Sequence, residues 1–226
     1  NNSGAHGRKA EQYMAMAYNL VNSRMAAIMA NQQRRHWEAL FSPSITGKTA
    51  VIIGLGDLGE AAARAAKKLG LNVIGVRRSA QKNRHADRVV TYKQLDRVLP
   101  LADFVVLAVP LTAETRNLLD GRRMDLLKPS AGIINIARGP VADYKALEHR
   151  LRAGKLGGAV VDVVDPEPLP ADSSLWTTPN LIITPHISCD DGEHYIDISL
   201  DLWFENLALF LNGKKLKRRI DPKLGY

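Results

Sequence analysis

The chain has 226 residues, of which 46% are hydrophobic and 24% are charged, and this composition is typical of a globular protein. No apolar run is long enough to span a bilayer and no secretory signal opens the chain, so we expect no membrane partner. The single cysteine, Cys189, excludes an intrachain disulfide, and we therefore expect a protein of the reducing cytoplasm. The net charge of +8 comes largely from one cluster without interleaved aromatic residues, which predicts a solvated helix end and no nucleic-acid partner: Lys214, Lys215, Lys217, Arg218 and Arg219.

The first element is a predicted helix over residues 8–37. Its apolar residues recur at steps of three and four, which places them on one stripe: Met14, Ala17, Val21, Met25 and Ile28. A second apolar set (Met16, Leu20 and Ala27) widens this face, so we predict a long helix that is buried on more than one side.

Strand and helix patterns then alternate. Short apolar runs predict strands at residues 49–54, 72–76, 89–90, 104–109, 132–136, 158–163 and 181–184. Helical patterns cover residues 58–69, 112–119 and 195–211. Continuous apolar strands separated by helices predict an α/β fold, a Rossmann-type doubly wound parallel sheet with helices on both faces.

A glycine motif follows the first predicted strand and precedes a helix. Gly54, Gly56 and Gly59 match G-x-G-x-x-G, in which the first glycine allows a tight turn, the second lets the backbone approach a pyrophosphate and the third allows close helix packing. Free N–H groups at the helix start would face the anionic pyrophosphate. The motif predicts a dinucleotide site, although a glycine-rich turn without a ligand is the alternative.

The end of the second strand indicates which dinucleotide is preferred. An NAD-preferring site carries an acidic residue there for the ribose 2′-hydroxyl, whereas this chain has Arg77, Arg78 and Ser79. Because a guanidinium binds a 2′-phosphate that a carboxylate would repel, we predict that NADP(H) is preferred and that NAD(H) remains possible. The alternative is a solvated arginine pair at a strand end.

Three further strand ends carry residues suited to hydride transfer. Arg138, Glu167 and His186 follow the last three predicted strands, whose carboxyl ends meet at one edge of a parallel sheet. Arg138 can hold a substrate carboxylate and polarise a carbonyl, and His186 can donate a proton to the developing alkoxide. Glu167 can orient the imidazole. Each residue alone has an ordinary structural explanation, but together they predict a catalytic set without a metal.

The ordered motifs GLGDLG (54–59), VPLTAET (109–115), INIARGP (134–140), VDVVDPEP (161–168) and TPHIS (184–188) resemble the D-isomer-specific 2-hydroxyacid dehydrogenase family over nearly the whole chain. The resemblance implies that Arg138, Glu167 and His186 are the catalytic residues. It also implies that Asp162 contacts the nicotinamide carboxamide. The remaining cofactor contacts that it implies are Asp57, Leu58, Val109, Pro110, Thr115, Ile136, Ala137, Arg138, His186 and Ser188.

The resemblance also implies a domain organisation. Residues 1–46 would hold the end of a truncated, flavodoxin-like substrate domain and an interdomain helix that packs in a homodimer. Residues 47–190 would form the dinucleotide-binding domain, and residues 191–226 a helix returning to the substrate domain. Two departures from the family pattern are Val164, in place of a phenylalanine, and the acidic pair Asp190 and Asp191.

We therefore expect an oxidoreductase that transfers a hydride between NADP(H) and a small 2-keto or 2-hydroxy acid, similar to glyoxylate and hydroxypyruvate reductases. One alternative is a dinucleotide-sensing, corepressor-like binding protein with little turnover. Another is a catalytically inactive fragment.

Overall fold

The computed structural model describes residues 6–217 and residue 219, and its centre is one parallel sheet. The seven strands lie in the order β3-β2-β1-β4-β5-β6-β7. Their bounds are β1 Thr49–Ile53, β2 Asn72–Arg77, β3 Arg88–Thr91, β4 Phe104–Leu107, β5 Gly132–Asn135, β6 Gly158–Val161 and β7 Leu181–Ile183. All six pairings are parallel, which confirms the predicted Rossmann-type fold. The domain boundaries stay predictions, and residues 1–5 and 220–226 of the outer two units lie outside the described residues.

The helices flank the sheet or follow it. Their bounds are α1 Gly7–Asn22, α2 Met25–Gln33, α3 Asp57–Lys68, α4 Leu95–Val98, α5 Gly121–Met124, α6 Tyr144–Arg152 and α7 Tyr195–Leu211. The first predicted helix is therefore two helices, because Arg24 adopts a left-handed conformation (φ 54°) between α1 and α2. A left-handed residue ends a helix. The apolar spacing continues across this break, so periodicity alone did not reveal it.

The helix predicted at residues 112–119 is wrong, since the segment consists of turns. The Thr115 hydroxyl donates to the Pro110 carbonyl (2.6 Å) and accepts from the Thr112 N–H (2.8 Å), so it competes with helical hydrogen bonding. Asn117 is left-handed (φ 51°), and Leu119 forms an isolated bridge with Ala142. These side-chain and bridge contacts replace the helix.

Two apolar cores lie on opposite faces of the sheet because successive strand residues point to opposite sides. Val51 and Ile53 belong to one core, whereas Ile52 packs in the other with Tyr18 of α1 and Phe104. Helix α1 packs on α3 and also reaches β5 and β6. This placement brings one end of α1 to the carboxyl edge of the sheet.

Helix α7 follows the sheet and has no buried residue among those described. Several of its large apolar side chains are more than half exposed, among them Trp203 (57%) and Phe210 (67%). Lys214, Lys215 and Lys217 are exposed beyond its end, as expected for a solvated helix end, and Arg218 lies outside the described residues. In the described part of the chain, no helix is both long and apolar enough to cross a membrane.

Candidate active site

The predicted site residues follow the carboxyl ends of the strands, and the order of the strands in the sheet reverses between β1 and β4. Strands β1 and β4 are neighbours, with Ile53 opposite Leu107, while β2 and β5 lie on their outer sides. In doubly wound sheets, ligands bind beyond the carboxyl ends of the strands at this switch point. The glycine loop follows β1 directly at that point.

The glycine loop has the geometry of a dinucleotide cradle. Gly54 has φ 95°, and a Cβ there would lie 2.5 Å from the Ala108 carbonyl oxygen. A Cβ on Gly59 would overlap the Gly54 carbonyl oxygen, so α3 packs closely only with glycine at this position. Gly56 instead caps α3 and faces open space, with nothing within 4 Å of a Cβ. The first and third glycines are thus fixed by packing, and the second leaves room for a ligand.

The predicted ribose-phosphate residues lie next to this loop in the sheet. Arg77 is the last residue of β2, opposite Thr91, and its side chain is partly exposed. Arg78 and Ser79 follow it and are exposed, and Asp57 is exposed in the first turn of α3. Arg77 therefore ends the strand next to β1, which the glycine loop follows, and its contact with a 2′-phosphate stays a prediction.

The predicted cofactor contacts at the ends of β4 and β5 are mostly buried. Val109, Thr115, Ile136 and Ala137 are buried, whereas Pro110 is exposed. Of these five residues, Pro110 is therefore the one whose surface a ligand can reach without a rearrangement of the chain.

A buried asparagine shapes the turn that carries Arg138. The Asn135 amide donates to the Arg138 carbonyl (3.2 Å) and to the Tyr144 hydroxyl (3.1 Å), and its oxygen accepts from the Ala137 N–H (3.0 Å). The Arg138 side chain is exposed and donates to the Ala137 carbonyl (2.6 Å). Sequence reasoning missed Asn135, although a fully buried polar residue at the end of an apolar strand is a signal for such a role.

Glu167 and His186 form a hydrogen-bonded pair. His186 Nδ1 lies 2.8 Å from Glu167 Oε2, and the Val164 N–H donates to Glu167 Oε1 (3.0 Å). Burial raises the pKa of the Glu167 carboxyl. The pKa is lowered by more than this through the hydrogen bonds from His186 and Val164 and the charges of His186 and Arg138, so it lies below its usual range. An ionised carboxylate only accepts, so Nδ1 carries a proton.

The opposite nitrogen of the imidazole is free to act on a ligand. Among the described residues, no protein group hydrogen-bonds His186 Nε2, and the side chain is 47% exposed. Arg138 follows β5 and His186 follows β7. The two strands are separated by two strand spacings, which amount to about 10 Å. Parallel pairing therefore places the cation and the proton donor at the same edge of the sheet.

Asp162 is engaged by the chain itself. Its carboxylate accepts from the Thr184 hydroxyl (2.6 Å) and from the N–H groups of Ile187 and Ser188 (2.9 Å each), and the residue is 1% exposed. Ser188 is also buried, so the structure brings Asp162 and Ser188 together with each other. Their predicted contacts with the cofactor stay predictions.

A pocket of about 620 Å³ adjoins the Glu167–His186 pair. Leu169, Trp176 and Ile183 form much of its apolar wall. Among the described residues, no group of three or more histidine, cysteine or acidic side chains could hold a metal ion. The available chemistry is therefore proton donation by an imidazole–carboxylate pair beside a guanidinium and a dinucleotide-type loop.

Comparison with known proteins identifies relatives of this arrangement. The family model for "D-isomer specific 2-hydroxyacid dehydrogenase, NAD binding domain" matches residues 14–188. A glyoxylate reductase from Pyrococcus furiosus is 38% identical over 168 residues, which are 74% of this chain and 49% of that protein. The chain therefore spans about half the length of the glyoxylate reductases it matches.

Two solved structures have the same fold. A D-isomer specific 2-hydroxyacid dehydrogenase from Xanthobacter autotrophicus, in complex with NADPH and MES, has a TM-score of 0.89 at 28% identity, covering 99% of this chain and 91% of that one. An NADPH-dependent glyoxylate/hydroxypyruvate reductase from Sinorhizobium meliloti, in complex with NADP and sulfate, also has a TM-score of 0.89 at 28% identity, covering 98% and 71% of the two chains.

Proposed function

Because this chain belongs to the D-isomer specific 2-hydroxyacid dehydrogenase family, we propose that its site interconverts a small 2-keto acid and the corresponding 2-hydroxy acid with NADP(H). The observation that carries this proposal is the hydrogen-bonded Glu167–His186 pair, which leaves His186 Nε2 free on the side of the sheet where Arg138 and the glycine loop lie.

The residues of the glycine loop fit a dinucleotide. The open space at Gly56, between two glycines fixed by packing, would hold the pyrophosphate against the N-terminus of α3. The other predicted contacts at the ends of β4 and β5 would line the nicotinamide side. The bound cofactor would supply the hydride, and Arg138, Glu167 and His186 would bind the substrate and move the proton.

The catalytic set would bind and protonate the substrate. Arg138 would hold the 2-keto acid through its carboxylate and polarise the ketone, as a guanidinium does well. His186 would deliver its Nε2 proton to the carbonyl oxygen as negative charge develops there, and Glu167 would stabilise the imidazolium before the transfer. In the reverse direction, the neutral imidazole would accept the hydroxyl proton.

NADP(H) is the proposed preferred cofactor. The arginine at the end of β2, Arg77, is the residue of this chain that favours a 2′-phosphate. The NADPH and NADP complexes of the two solved relatives support the same choice. Glyoxylate and hydroxypyruvate are the proposed substrates because relatives carry those names, and these names do not favour the corepressor-like alternative.

A homodimer in a reducing cytoplasm is proposed as the working form. Exposed apolar side chains on α1, α2 and the segment after them need a covering surface, among them Met29 (51%), Trp37 (98%) and Phe41 (91%). Light scattering coupled to gel filtration would give twice the chain mass if this holds, and a monomer mass at all concentrations would rule the dimer out.

His186→Gln tests the proposed chemistry. With NADPH and glyoxylate or hydroxypyruvate, turnover should fall by about 10²-fold or more while the NADPH dissociation constant changes less than about twofold. His194→Gln is the matched control, because His194 is an exposed histidine paired with Asp191 (3.4 Å) outside the set. Unchanged turnover in His186→Gln would refute the proposal, and loss of NADPH binding would make His186 a structural residue.

A further inference from the structure

A chain of hydrogen bonds connects the first helix to the loop of His186. The Tyr13 hydroxyl lies 2.7 Å from Thr184 Oγ1, and Thr184 Oγ1 donates to Asp162 Oδ1 at 2.6 Å. A threonine hydroxyl has one proton, and Asp162 receives it, so Tyr13 is the donor to Thr184. The hydrogen bonds therefore all point in one direction. They run from Tyr13 of α1 to Thr184, which follows β7, and from Thr184 to the Asp162 carboxylate, which follows β6.

Asp162 passes this constraint to the backbone around His186. Its carboxylate accepts the N–H groups of Ile187 and Ser188 (2.9 Å each), and its own carbonyl accepts the His186 N–H (2.9 Å). His186 has φ 55°, a left-handed backbone conformation that is uncommon and strained for a residue other than glycine. Such a conformation persists when several contacts determine it, and the three N–H bonds to Asp162 do so.

The two ends of this network are buried. Tyr13 is 5% exposed and Asp162 is 1% exposed, whereas Thr184 between them is partly exposed, so burial strengthens the hydrogen bonds mainly at Tyr13 and Asp162. Tyr13 also packs in the core that α1 shares with the sheet, and this packing keeps its hydroxyl within hydrogen-bond distance of Thr184. The Tyr13–Thr184 bond joins residues 171 positions apart and connects the helix core to the catalytic loop.

We propose that Tyr13 and Thr184 are positioning residues for the reaction: by orienting the Asp162 carboxylate, they hold His186 in the backbone conformation that aims Nε2 at the substrate. Neither hydroxyl touches the reacting atoms. Removing either one lets Asp162 rotate, loosens the N–H bonds after His186 and lowers the fraction of molecules with a correctly aimed imidazole. The effect on kcat exceeds the effect on cofactor affinity, which changes only through the nicotinamide contact that the resemblance assigns to Asp162. This inference rests on the proposed reductase function.

Single-hydroxyl variants test the proposal in an NADPH-oxidation assay. Thr184→Val should lower kcat by about 10–100-fold and Tyr13→Phe by about 3–10-fold, and in each variant the NADPH dissociation constant should change by a smaller factor than kcat. Thr184→Ser keeps the bridging hydroxyl and should retain most of the activity. Tyr18→Phe is the control, because Tyr18 lies on the same buried helix and bonds the Ala62 carbonyl (3.4 Å), away from the site.

A double variant separates positioning from simple loss of stability. Since Tyr13 acts through Thr184, the Tyr13→Phe/Thr184→Val variant should be no slower than Thr184→Val alone. The proposal would be overturned if the kcat losses of the two single variants multiplied in the double variant. It would also be overturned if Tyr18→Phe lost as much kcat as Tyr13→Phe. A Tyr13→Phe variant with wild-type kcat would overturn it as well.

A readout without turnover keeps this inference distinct from the proposed function. The imidazole NMR signals of His186, assigned by their absence in His186→Gln, should shift or broaden in Tyr13→Phe and Thr184→Val but not in Tyr18→Phe. If the wild type lacks turnover and the signals still respond, the proposed function fails and the positioning network stands. If the wild type turns over and neither the signals nor kcat respond, the network has no positioning role.

Discussion

Replacing Glu167 with glutamine removes one charge while keeping the size of the side chain. Both carboxylate oxygens act as acceptors in the structure, one for the Val164 N–H (3.0 Å) and one for His186 Nδ1 (2.8 Å). Glutamine has a single acceptor oxygen, so its NH₂ group must face either the Val164 N–H or a protonated Nδ1. In either orientation one of the two hydrogen bonds is lost.

The magnitude follows from the exposure of the pair. The two side chains are 47% and 37% exposed, so a water-like dielectric applies, and charges 2.8 Å apart then interact by about 1.5 kcal/mol. The lost hydrogen bond contributes about another 1 kcal/mol. Together these contributions, about 2.5 kcal/mol, lower kcat by about 60-fold, because each 1.4 kcal/mol is a factor of about ten.

The assay is steady-state NADPH oxidation with a 2-keto acid, with NADPH affinity measured separately by fluorescence. Glu148→Gln is the control, since the two carboxylate oxygens of Glu148 also accept hydrogen bonds, from Arg152 (2.9 Å) and from Ser174 (2.7 Å), but the residue lies on α6 outside the site. A Glu167→Gln variant with kcat within twofold of wild type, or an equal loss in Glu148→Gln, would refute the reasoning.

Three further outcomes follow from the structure. Arg77→Asp should reverse the ratio of NADPH to NADH affinity, measured by titrating both cofactors, and an unchanged ratio would exclude Arg77 from cofactor choice. Phe104→Ala should lower the free energy of unfolding by about 3–5 kcal/mol in urea titrations, because Phe104 is 1% exposed and packs edge-to-face on Tyr18 at 5.3 Å. The hydrogen bond from Arg123 holds the pKa of the Asp96 carboxyl below its usual range, so its stabilisation is present above the unfolded pKa of about 3.9 and is lost as the pH falls through the folded pKa. The Tm difference between wild type and Asp96→Asn should therefore shrink as the pH falls below about 4, and a constant difference would contradict this.

The sheet was predictable because each strand is an apolar run bounded by turn residues. Residues 49–54, for example, were predicted as a strand, and β1 spans Thr49–Ile53. The errors arise where side chains or single backbone angles override the pattern. Thr115 and Asn117 replace a helix with turns, and Arg24 divides the first helix although the apolar spacing continues through it.

The site was predictable to the extent that its residues lie in local motifs. Arg138, Glu167 and His186 follow strand ends, and parallel pairing brings those ends to one edge of the sheet. The Tyr13–Thr184 bond depends on how α1 packs across the sheet, and no local pattern encodes that contact. Tyr13 precedes Met14, the first residue of the predicted apolar stripe, and periodicity does not show what its hydroxyl contacts.

The most direct test of the proposed reductase is NADPH oxidation, followed by absorbance, with a panel of 2-keto acids that includes glyoxylate and hydroxypyruvate and with NADH as the comparison. We expect turnover with at least one of these acids, and a higher kcat/KM with NADPH than with NADH. Tight NADPH binding without turnover of any acid in the panel would contradict a reductase and favour a protein that only binds the dinucleotide.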